Sequence, residues 1–147
     1  MTTLSRTPLI GGATSTGFAE ISHRIGGTLS ARHGVQWWVE LTGQLDELSV
    51  RLMTDGEQVW RGLADQLRRD APHMSSHLKR IDAEQEYLES ELLRVRILAG
   101  ESAGDPSLVR LVKEAVRDVL NRLRRLEERT SQVLYEAYER DLGGESA

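Results

Sequence analysis

The chain has 147 residues, 39% hydrophobic and 29% charged, with a formal net charge of −4; that is enough for one domain with a real core. Cysteine is absent, which excludes disulfides, thiolate-held zinc, iron–sulfur clusters and cysteine nucleophiles. No apolar run approaches bilayer length, and acids and bases are interspersed, so no basic face marks a nucleic-acid partner.

Residues 1–14 read as a flexible tail. Arg6 and the short patch Pro8–Leu9–Ile10 lack the long apolar core of a secretory leader, so the expected location is cytoplasmic. Residues 15–144 read as one helical domain. Phe18, Ile21, Ile25 and Leu29 form a first helical stripe, although Gly26, Gly27 and Gly34 each cost roughly 1 kcal/mol relative to alanine in a helix. Trp37, Trp38 and Leu41 then lead toward Gly43. Trp37, Trp38 and the glycine-rich first helix are candidate contact features, with core packing the favoured role because tryptophan is highly buried on average.

A second stripe runs Leu45, Leu48, Leu52, Val59, Leu63 and Leu67. Asp55-Gly56 interrupts it, and Thr54 with Glu57 has capping-box spacing, so this helix is expected to kink or restart there. Ala71-Pro72 ends one helix and opens the next, because a residue before proline avoids helical geometry. The third stripe is Met74, Leu78, Ile81, Gln85, Leu88, Leu92 and Val95. Gly100 is expected to stop it, leaving Gly100–Asp105 as a polar loop. Asp105-Pro106 sets a capping residue before a proline at the first helical position. The last stripe is Val109, Val112, Val116, Val119, Leu123, Leu126, Thr130, Val133 and Ala137, with Gly143-Gly144 as its stop. Spacings of three and four hold one face toward a partner helix over many turns. The expected fold is an all-α antiparallel four-helix bundle. Arg122, Arg124, Arg125, Glu127, Glu128 and Arg129 lie opposite the last stripe and read as solvated charges.

Chemistry is sparse. His73 and His77, four apart, present two imidazoles on one helix face and need further ligands to hold a metal. His33 reads as a helix-end or surface residue. Neither a glycine-rich phosphate loop nor a nucleophile–histidine–acid spacing occurs, so no enzyme is expected. The informative residues are Gln85 and Thr130, polar groups on apolar seams. A buried polar group must find a hydrogen bond or cost stability; these two either set register or mark the place of a pocket.

The stretch Ala71–Leu88 resembles the start of the third helix of bacterial hemerythrin-like (HHE cation-binding) domains. The stretch Leu126–Gly143 resembles their fourth helix, including its Asp-x-Gly ending, and Trp37-Trp38-Val39-Glu40-Leu41 is similar to a tryptophan-rich segment of some members. The resemblance implies a four-helix bundle that holds two irons with histidines and carboxylates. Carried over, the third-helix histidine falls on Gln85, the fourth-helix histidine on Leu126 and its partner glutamate on Thr130. The second-helix histidine falls on Met53, with Glu57 near the glutamate, and His23 stands as a retained first-helix histidine. Most ligand positions are therefore replaced. The expectation is a degenerate bundle with no metal or other cofactor, acting as a binding, scaffold or regulatory protein through a protein partner or self-association, without nucleic acid or membrane. The alternative is an iron or dioxygen binder with a reduced site drawn from His23, Glu57, His73 and His77.

Overall fold

The computed structural model describes residues 18–146, without the side chains of 55–59 and 139–146. The tail expected at 1–14 lies outside the described residues. The described residues are almost wholly helical and contain no strand. Helix α1 spans 18–30, α2 Val35–Arg51, α3 Glu57–Asp70, α4 Ser75–Ser102 and α5 Val109–Ser146.

The expected interruption at Asp55-Gly56 takes the form of an irregular turn rather than a new start, and the two expected glycine stops do not end their helices. At Asp55-Gly56 the chain does not restart: Leu52–Gly56 forms a π turn that joins α2 to α3 end to end. The Thr54 hydroxyl donates to the Val50 carbonyl one turn back, at 2.7 Å. Such back-bonding favours a local bend over a new helix start. Gly100 lies inside α4, which runs on to Ser102, and α5 continues through Gly143-Gly144 to Ser146. A glycine inside a helix costs roughly 1 kcal/mol relative to alanine, which does not by itself end the helix.

The α4–α5 corner is built from turn chemistry. Ala103 (φ −54°, ψ 128°) and Gly104 (φ 85°) occupy the centre of a turn closed by Asp105 N–H donating to the Ser102 carbonyl at 3.0 Å. These angles define a type II turn, whose third residue needs glycine. Asp105 then caps the next turn. Its carboxylate accepts from Ser107 N–H at 3.0 Å and from the Ser107 hydroxyl at 2.6 Å, which holds its pKa below the usual range. At the α3–α4 corner Ala71 leaves helical geometry (φ −141°, ψ 69°) and Pro72 opens a 3-10 turn into α4, as the proline rule requires.

Cross-helix contacts tie the helices together. Phe18 packs on Trp60, Arg24 pairs with Glu47 and Trp37 reaches back to Thr28, tying α1 along α2 and the start of α3. Arg68 pairs with Asp82 and Arg96 with Asp46, so α4 folds back on α3 and α2. Glu84 pairs with Arg129 and Arg122 covers Tyr87, so α5 returns along α4. The stripes meet in one core: Ile21, Ile25, Leu41, Leu48, Leu67, Leu88, Leu92, Leu123 and Leu126 are all fully buried. Burying each such side chain contributes about 1.5–3 kcal/mol. Trp37 and Trp38 are core residues, edge to face at 4.8 Å and both buried, so packing rather than surface contact is their role. Trp60 and Ala64, which the stripe reading passes over, are also buried.

Candidate functional site

Among the described residues, the positions on which a di-iron site would be sought bring no group of three metal-binding side chains together. Leu126 is 1% exposed and sits in the core as an ordinary leucine. Thr130, one turn on, is buried, and its hydroxyl donates to the Leu126 carbonyl at 2.8 Å. The polar group at this seam is thus satisfied by its own helix and points no free donor inward. The adjoining crease, whose walls include Trp60, Leu67, Leu78, Ile81, Asp82 and Thr130, leaves a space of only about 10 Å³. That is at the lower bound for a single water.

Gln85 is buried, but it lines a groove at the surface between α3 and α4, together with Arg61, Asp65, Arg68, Asp82, Glu86 and Glu89. It therefore stands at the edge of the seam, beside charged groups, and not deep inside it. Met53 is 61% exposed, which corrects its assignment to an interior ligand position: the π turn carries it to the surface. The side chain of Glu57 lies outside the described residues.

The histidines are scattered. His23, His33, His73 and His77 are all exposed. His33 lies edge-on to Trp37 at 5.0 Å between ring centres. Among the described residues no group of three His, Asp or Glu side chains is close enough to hold a metal ion. A di-iron pair needs several imidazoles and carboxylates converging in the bundle interior. The described donor set does not fit that group, because outward imidazoles and a filled seam put no such set in one place.

Two polar features remain. Glu127 is half-buried, and burial pushes its carboxyl up to about 7. The second is a groove of about 370 Å³ between α4 and α5, lined by Arg80, Ala83, Glu84, Tyr87, Arg122, Arg125 and Arg129. From the sequence alone the α5 arginines read as solvated charges with a few intrahelical pairs. Arg80 and Tyr87 stand opposite them only through the register of α4 against α5.

Compared with protein-family models, with curated proteins and with solved structures, the chain matches none.

Proposed function

We propose that this chain is a non-catalytic binding protein on a hemerythrin-like four-helix bundle whose di-iron site has been refilled by core residues. In this reading α2 and α3 count as one interrupted rod, making four rods with α1, α4 and α5. The observation that carries it is the Leu126–Thr130 turn: a buried leucine and an internally bonded threonine beside a space of only about 10 Å³. An apolar, filled seam stabilises the bundle directly, whereas a set of carboxylates there needs a cation to offset its desolvation. The residues that replace such ligands are thus those that let the fold stand without one. Its surface then supplies its function, as a scaffold or regulatory element that meets a ligand, a protein partner or a second copy. A cytoplasmic setting accompanies this reading.

Thermal unfolding tests it. A metal that binds only the folded state raises the midpoint with its concentration. The untagged chain is expected to unfold at the same temperature in ferrous iron and in excess chelator. A midpoint that climbs with iron and falls with chelator would restore the iron-binding alternative.

A further inference from the structure

The geometry points to the α4–α5 groove as a binding site for a small molecule that carries a di- or triphosphate. Four arginines and one glutamate line it, a local surplus of three positive charges on a chain whose net charge is −4. Glu84 is committed to Arg129. Arg80, Arg122 and Arg125 take part in no ion pair among the described residues, and their guanidinium groups are left to face solvent in the groove. Guanidinium forks match phosphate oxygens two at a time, and such charge-assisted bonds are about twice as strong as neutral ones.

The arrangement is ordered as well as basic. Arg122 lies 4.5 Å from the centre of the Tyr87 ring, so a cation–π contact holds one guanidinium in place before a ligand arrives. Arg129 is held likewise by Glu84. Holding side chains in advance lowers the entropy cost of binding. Ala83 lines the groove between these long side chains and leaves it open.

Size favours a compact polyanion. The span from Arg122 to Arg129 is about 10 Å along the helix, the reach of a short phosphate chain. A volume of about 370 Å³ lies at the small end of ligand pockets. This inference goes beyond the reading of the core as refilled, since it rests on the outer crease of α4 and α5 and holds whatever the ancestry of the bundle.

The test is calorimetric titration of the full chain with inorganic tripolyphosphate, with ATP and with a single-stranded oligonucleotide, at about 0.15 M salt to suppress loose attraction. Tripolyphosphate and ATP are expected to bind below millimolar concentration. Equal affinity means that the phosphates alone are read; tighter ATP that weakens in Tyr87→Ala means that the nucleoside also touches the ring. The double variant Arg122→Gln/Arg125→Gln should weaken both about tenfold or more, while Arg117→Gln, elsewhere on α5, should not. Circular dichroism checks that each variant keeps its helices. Absence of binding, equal weakening by Arg117→Gln, or affinity for the oligonucleotide alone would overturn the proposal.

Discussion

The indole Nε1 of Trp37 donates to the carbonyl of Thr28 at 2.6 Å, fastening the end of α1 to the first turn of α2 inside the core. Both residues are buried. The same carbonyl also accepts from Ala31 N–H at 3.0 Å. The indole bond joins the Phe18–Trp60 and Arg24–Glu47 contacts in holding the glycine-containing α1 against α2 and α3, where helix propensity alone is weak.

Trp37→Phe should lower stability by about 1–2 kcal/mol. It removes one buried hydrogen bond and some packed volume, but Thr28 keeps its second partner. In a domain of this size that is a fall in midpoint of about 2–8 °C. Thermal melts check it, and an unchanged midpoint would mean that the bond contributes nothing.

Glu127 makes stability fall as pH rises. Burial lifts its folded-state pKa to about 7 from the ordinary value near 4.5, so the folded chain holds a proton that the unfolded chain has lost. The preference for the folded state is intact below about pH 4.5 and is lost as pH climbs through 7. Glu127→Gln should flatten this window. It should stabilise the chain at pH 8 by about 1 kcal/mol, less than the full linkage value because the side chain keeps partial solvent access. Urea titrations at pH 5 and pH 8 check it; parallel pH profiles for the two proteins would contradict it.

Two glycines should respond with opposite signs. Gly43 lies in the middle of α2, and an added Cβ there meets nothing within 4 Å, so Gly43→Ala should stabilise by about 0.5–1 kcal/mol. Gly104 has φ 85° at the α4–α5 turn, so Gly104→Ala should destabilise by about 1–2 kcal/mol. Chemical denaturation of the pair is the check, and a shared sign would be at odds with the turn described.

Gln85→Leu should be tolerated, within about 1 kcal/mol of the parent or above it, because the side chain sits where apolar seam meets polar groove. Thr130→Val should be similarly mild, since the Leu126 carbonyl can keep its helix bond without the hydroxyl. A loss of several kcal/mol at Gln85 would show that its amide holds a necessary hydrogen bond.

The long stripes of α4 and α5 were legible in the sequence residue by residue. Met74 to Val95 and Val109 to Ala137 are buried where periodicity puts them, because a continuous apolar seam has one way to face a core. Breaks were less legible. Gly100 and Asp55-Gly56 are weak local signals, and helix continuity across them comes from packing on both sides. Met53 was misplaced because the π turn shifts the register of the face beyond it, which a fixed period cannot show. The arginine groove depends on residues some forty positions apart, and nothing in either helix alone announces it.

The central claim is that the bundle interior is filled by its own side chains and holds no iron. The most direct measurement is iron content per chain, by elemental analysis of untagged protein produced in iron-supplemented medium and kept free of chelator. The account predicts iron far below one atom per chain and no visible absorption from an oxo-bridged pair. Stoichiometric iron with those bands would contradict it and return His23, His73 and His77 to the position of ligands.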